Sequence, residues 1–229
     1  MGIVEHQCRI RAVWLRRAES TAWIAERSGV YLDGLSRQLG VDGWDSLYLK
    51  RRWPADVNER EQMVLEGVYR EEDQTPYPSL GYTLTLNGVS PQAYAEVEVH
   101  AGHVGLGRNL PAHVLRLRLS WRLPESPTGA QLDDLVALTV NVWEPVMVSF
   151  TTHELGGSDW RIEPGWRLWL RNDVGTFETL HEGVTAVELD GGTLLKAPEE
   201  WSPEQVKAAV GGTLEANGLA VLPFDEAAQ

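Results

Sequence analysis

The sequence predicts an α+β protein, with antiparallel sheets and flanking helices. Three observations carry this. Tyr82–Leu86 (YTLTL), Tyr94–His100 (YAEVEVH) and His113–Leu119 (HVLRLRL) alternate apolar and polar side chains. Such alternation marks strands with one buried and one wet face, the pattern of an antiparallel sheet rather than a fully buried parallel one. Other stretches repeat apolar residues at helical spacing. The third observation is size: 229 residues bury a core without staples, and the single cysteine, Cys8, leaves no disulfide framework to replace it.

Taken in order, Arg9–Leu15 (RIRAVWL) reads as a strand. Ser20 is an N-cap for a helix carrying Trp23, Ile24, Val30, Tyr31, Leu35 and Leu39, and Gly40 stops it. A short strand is expected at Leu47–Lys50, then a turn at Arg51-Arg52-Trp53-Pro54. Asn58–Arg70 reads as a second helix, and two prolines make Gln74–Leu80 irregular. Asn87-Gly88 is a turn signal after the first alternating strand. Ala130–Trp143 has Leu132, Leu135, Val136, Leu138 and Val142 at helical spacing, ended by Pro145.

The pattern then restarts. Val146–Thr151 and Trp166–Leu170 read as strands, with a turn at Gly156–Asp159 between them. Thr185–Leu189 and Gly192–Leu195 form a hairpin across Asp190-Gly191. Ser202-Pro203-Glu204 opens a last helix that runs to Asn217-Gly218. The order of strands followed by a closing helix occurs twice. It fits an internal duplication, and equally any α+β chain of this length. The reading is one domain over residues 1–229, with two similar sublobes meeting near residue 145.

The chain carries 20 basic and 33 acidic residues, a formal charge of −13. Residues 1–60 are nearly balanced, so the acidity sits in the remainder. Such a chain lacks the basic face that releases counterions from phosphates, which argues against a nucleic-acid binder and suits a basic partner. No apolar run reaches the ~18 residues of a membrane span. The segment MGIVEHQCRIRAVW has no apolar core of a secretory signal. A folded, reduced, cytoplasmic protein is expected.

No catalytic, cofactor or metal constellation emerges. His100 and His103 have no evident third ligand, so a structural role is favoured over zinc. His153-Glu154 lacks the second histidine of HExxH, because residue 157 is Gly157. Gly105-Leu106-Gly107 is followed by Pro111 rather than a helix, so a turn is the better reading than a phosphate loop. Cys8 has no nucleophile signature around it, and the acids fall in no catalytic spacing. Most of the ten tryptophans lie in predicted elements and read as core. Trp160, in the polar loop GGSDWR, reads either as an exposed anchor or as a ring folded back on the sheet.

Several motifs together resemble a known family. Val13-Trp14, Arg17 and Glu19-Ser20 (VWLRRAES) resemble the N-terminal signature of the immunity protein 52 family, antitoxins of bacterial polymorphic toxin systems. The strand Gly81–Gly88 ending in Asn-Gly, then Asn109, then Pro164-Gly165-Trp166 leading into Asn172–Gly175, and the closing helix follow in the same order. The resemblance implies a binding protein rather than an enzyme, one that neutralises a cognate toxin domain and protects the producing cell. It implies a basic partner, often a nuclease of restriction-endonuclease-like fold, held by plugging its cleft or by binding elsewhere. The acidic surplus agrees, since a nuclease needs a basic surface for its own substrate.

The signature residues read as fold-holding, so toxin contact is expected on loops, at Glu71, Glu72, Asp73, Glu154, Asp159 and Trp160. Two other classes are kept: a structural or adaptor subunit of a secretion assembly, which predicts an exposed apolar patch and self-association, and a hydrolase using unrecognised carboxylates, which predicts a pocket of perturbed acids.

Overall fold

A computed structural model describes residues 7–15, 18–104, 113–122, 127–152, 162–219 and 221–222. The protein is α+β: one ten-stranded antiparallel sheet with four flanking α-helices. The strands are β1 (Gln7–Trp14), β2 (Trp44–Ser46), β3 (Arg51–Arg52), β4 (Tyr82–Val89), β5 (Ala93–Ala101), β6 (His113–Trp121), β7 (Met147–Thr152), β8 (Arg167–Arg171), β9 (Thr185–Leu189) and β10 (Gly192–Lys196). The helices are α1 (Thr21–Leu39), α2 (Val57–Glu66), α3 (Gly129–Trp143) and α4 (Pro203–Ala216). The strand order is β3-β2-β4-β5-β6-β1-β7-β8-β10-β9. β1 pairs with β6 on one side and β7 on the other, so one sheet runs through both halves of the chain.

Register fixes which side chains share a face. Ile10, Leu117, Val97, Leu86, Phe150 and Trp169 lie on one side and are buried. α2 packs on β4 and α3 on β1, β7 and β8, with α1 between the two helices. Trp14 of β1 stacks on Trp143 of α3 at 5.2 Å, and Tyr31 of α1 meets the same ring edge-on at 6.1 Å. Burying one such aromatic is worth roughly 1.5–3 kcal/mol, so this cluster anchors the helical layer.

The helices start where the sequence places caps. Ser20 accepts the Trp23 N–H, while Thr128 with Gln131 and Ser202 with Gln205 form capping boxes. Gly40 ends α1 in the left-handed region at φ 68°.

Three local expectations are corrected. Residues 47–50 form a turn, not a strand: the Ser46 hydroxyl accepts the Leu49 N–H, and Arg51-Arg52, expected in a turn, pair with β2 instead. α2 ends at Glu66, because a Cβ on Gly67 would strike the Thr83 carbonyl and the chain there turns to bridge Val68 to Tyr82. Asn87-Gly88 lies inside β4, and the turn comes later, where the Ser90 hydroxyl accepts the Gln92 and Ala93 N–H groups. Gly88 serves packing: a Cβ there would lie 2.7 Å from Val41 and 2.9 Å from the Trp44 ring. The 185–196 hairpin and the strands at residues 82, 94, 113, 147 and 167 stand where the pattern puts them.

Among the described residues the second face of the sheet is covered at one end only. Segment 162–166 crosses β7, with the Ser149 hydroxyl donating to the Glu163 carbonyl at 2.9 Å. α4 binds the 172–184 loop through Thr213 and Asn217. Over β4, β5 and β6 this face is solvated, and that open region positions the candidate site.

Candidate functional site

The acids Glu71, Glu72 and Asp73 stand together at the exposed tip of a turn that leaves α2 and returns to β4. The Tyr77 N–H donates to the Tyr69 carbonyl (2.8 Å) and the Glu71 N–H to the Thr75 carbonyl (3.1 Å), so the tip is a short ordered hairpin. The Thr75 backbone N–H donates to Asp73 Oδ1 at 2.9 Å and holds that carboxyl below its ordinary range. Glu154, Asp159 and Trp160 lie outside the described residues.

Beside this turn runs a groove of about 720 Å³. Its walls are residues 46–49, the 66–70 segment and the open-face side chains Thr83, Thr85 and Asn87 of β4. Leu47 is 67 % exposed, Tyr48 85 % and Tyr69 50 %. An 85 % exposed tyrosine makes little contribution to its own fold, and exposed tyrosines beside a concavity are the residue type that anchors protein interfaces. Sequence reading missed Leu47 and Tyr48 because the alternation of SLYLK imitates a half-buried strand, and Tyr69 because it falls in the expected helix Asn58–Arg70. The available signal was Ser46, whose hydroxyl favours a turn over a ladder.

The open face itself is not acidic. Glu98 faces His100 Nε2 (2.7 Å) and Arg116 Nη1 (2.7 Å), and Glu96 pairs with Arg118. The His100 contact, ahead of the Arg116 guanidinium, outweighs burial and takes the Glu98 carboxyl down to about 2. Cross-strand pairing thus consumes these charges. A smaller hollow of about 320 Å³ lies at the far end of this face, against Arg9, Tyr94, Glu96 and Arg118.

The described signature residues serve the fold, while Arg17 and Asn109 lie outside the described residues. The Glu19 side chain is fully buried; it accepts the Trp14 indole N–H at 2.9 Å and the Gly102 backbone N–H at 3.2 Å. His113 Nδ1 lies 3.1 Å from the Oε2 that takes the Gly102 N–H. Burial alone would raise the Glu19 carboxyl; the contacts with His113 and Trp14 more than offset it and leave it below the ordinary value. Ser20 next to it caps α1. Gly165 lies against β7, where a Cβ would strike the Phe150 carbonyl, and Trp166 is fully buried.

Burial pushes the Cys8 thiol up to about 12, far from a thiolate nucleophile. Among the described residues no group of three His, Cys, Asp or Glu side chains is arranged to hold a metal ion. No described helix is long and apolar enough to cross a membrane. What the site can do chemically is bind: aromatic rings in and beside a concavity attract apolar and cationic groups, with carboxylates at the rim to favour the latter.

No family model matches the sequence, and no curated protein matches it. Among solved structures the fold is similar to the Pseudomonas aeruginosa T6SS protein PA0821, with a TM-score of 0.51 at 9% identity. The match covers 91% of this chain and 74% of that one. At this identity the likeness concerns the fold.

Proposed function

We propose that this chain is an immunity protein: a cytoplasmic antitoxin that binds a cognate bacterial toxin domain, probing for a basic surface such as a nuclease's, and so protects the producing cell. It acts by occupying its partner and carries out no reaction of its own. The observation that carries this reading is the groove with Leu47, Tyr48 and Tyr69 exposed beside the exposed acids Glu71, Glu72 and Asp73. Apolar anchors supply affinity and the carboxylates steer a cationic partner. The motif resemblance points the same way. The structural neighbour is a T6SS protein, which supports a setting of competition between bacteria.

The test is co-expression with the C-terminal domain of the large gene adjacent to this one, taken as the candidate toxin. The domain alone is expected to stop growth; this protein is expected to restore it and to co-elute with the domain. Tyr48→Ala is expected to weaken the complex by about 2 kcal/mol, roughly thirtyfold. Lysine at positions 71, 72 and 73 together is expected to slow association about tenfold or more. A domain that kills equally with and without this protein overturns the reading. Self-association with no toxin capture would favour the structural-subunit alternative.

A further inference from the structure

β9 closes one end of the sheet, and among the described residues only its β10 side is paired. Asp190 (φ 43°) and Gly191 (φ 76°) both adopt positive φ, the two-residue turn whose twist suits a hairpin. Such a turn makes Leu189 and Gly192 a mutually hydrogen-bonded pair. Alternation along the register then sends the backbone groups of Val187 and Thr185 inward to β10, and those of Ala186 and Glu188 outward. The outer edge is therefore a short open ladder. Residues 185–188 are exposed, Val187 by 41 %, so no described segment covers it.

Proteins guard sheet edges by shortening them or by placing lysine, proline or a bulge there. β3, the opposite edge, is guarded: it has two residues and both are arginine. β9 has five residues, TAVEL, without proline, glycine or a cation. Its surroundings are strongly negative. Between residues 172 and 219 stand nine acidic side chains and two lysines; Arg171 engages Asp173, Arg167 engages Glu199 and Asp133 engages Lys196, which leaves seven acids against Lys207. A second copy would bring the same negative charge to this edge, whereas a cationic strand is attracted to it.

We infer that β9 is a docking strand for an extended Lys/Arg-bearing segment of a protein partner, which adds to the sheet as an eleventh strand through the backbone of Ala186 and Glu188. Main-chain bonds hold such a segment, and alternate side chains select it. Glu188 and Ala186 share one face and Val187 and Leu189 the other, so the fitting pattern alternates a cation with an apolar residue. The inference rests on the binding-protein reading above and says how a partner is held at a second surface.

The test needs no toxin. The ¹⁵N-labelled protein is titrated with the capped peptide KVKVKVK and, as a control, EVEVEVE. The cationic peptide is expected to shift the amides of residues 185–189 and to slow hydrogen exchange at Ala186 and Glu188 about fivefold or more. The acidic peptide is expected to do neither. Ala186→Pro removes an outward N–H and no β10 bond, so the fold should survive while affinity falls about tenfold or more. Glu188→Lys, a change on an exposed side chain, should have a similar effect and keeps the test decisive if Ala186→Pro misfolds. The inference is overturned by an unmoved β9 at millimolar peptide, by shifts confined to the groove, by an equal response to the acidic peptide, or by a wild-type dimer that Ala186→Pro dissolves. Growth rescue decides the antitoxin reading separately, so the two failures are distinguishable.

Discussion

Glu19 shows how much one residue can hold. Its carboxylate joins the indole of Trp14 on β1, the backbone of Gly102 after β5 and the ring of His113 on β6, all out of water. The Trp14–Glu19 spacing is visible in the sequence; the reason for it is not, because His113 lies ninety-four positions away and only the β1–β6 register brings it in. Glu19→Gln keeps the shape and removes the charge. It is expected to cost about 2–4 kcal/mol at pH 7 in urea unfolding, since the donors around it lose a charged acceptor in a dry site. The pH sign follows from its lowered value. The folded carboxyl sits below its unfolded value of about 4.3, so its stabilisation is present above that pH and is lost as pH falls through the folded value. The difference between wild type and Glu19→Gln should therefore shrink below about pH 4. Glu98, at about 2, adds a second contribution lost between roughly pH 4.5 and 2. A pH-independent difference at position 19 would mean that the carboxylate is not the stabilising form.

Among the elements, legibility followed local chemistry. The capped helices and the Asp190-Gly191 hairpin were readable because their determinants sit within a few residues of one another. Asn87-Gly88 was not, because its determinant is tertiary. The strand continues through Asn87, whose Oδ1 accepts the Tyr94 hydroxyl, and Gly88 makes room for Val41 and Trp44 arriving from beyond α1. Gly88→Ala separates the two explanations. A turn glycine would yield a cost through φ alone, yet Gly88 is not in the positive-φ region. The expected cost is about 1–3 kcal/mol from overpacking, measured by thermal or urea unfolding. Trp44→Leu in the same chain should restore part of it by vacating the contact, and a strictly additive double mutant would contradict a packing origin. The groove escaped sequence reading for the same reason. Leu47 and Tyr48 alternate like a strand, but the edge they would extend is already closed by the two arginines of β3.

For the whole molecule, the charge of −13 was plain in the sequence while its placement was not. The structure spends much of it locally. Glu96, Glu98, Glu163 and Asp133 each face an arginine, so the open sheet face and the β1–β7 seam present little net field. Among the acids left exposed in the described residues are those at the 71–73 turn beside the groove and at the β9–β10–α4 end. If both rims steer one basic partner, association should be fast and strongly screened. The on-rate is expected to fall about tenfold or more between roughly 20 mM and 500 mM NaCl, with the off-rate changing much less. Neutralising Glu71, Glu72 and Asp73 to their amides should flatten part of that salt dependence. Neutralising Glu178, Glu182 and Glu188 should flatten another part, with unfolding midpoints near wild type in both cases because these side chains are exposed. The two sets lie at opposite ends of the strand order, so their effects on the on-rate are expected to be close to additive. Stopped-flow rates across a salt series decide it. If only one set alters the slope, the partner approaches from that end alone, and if neither does, the acidic surplus has no part in recognition.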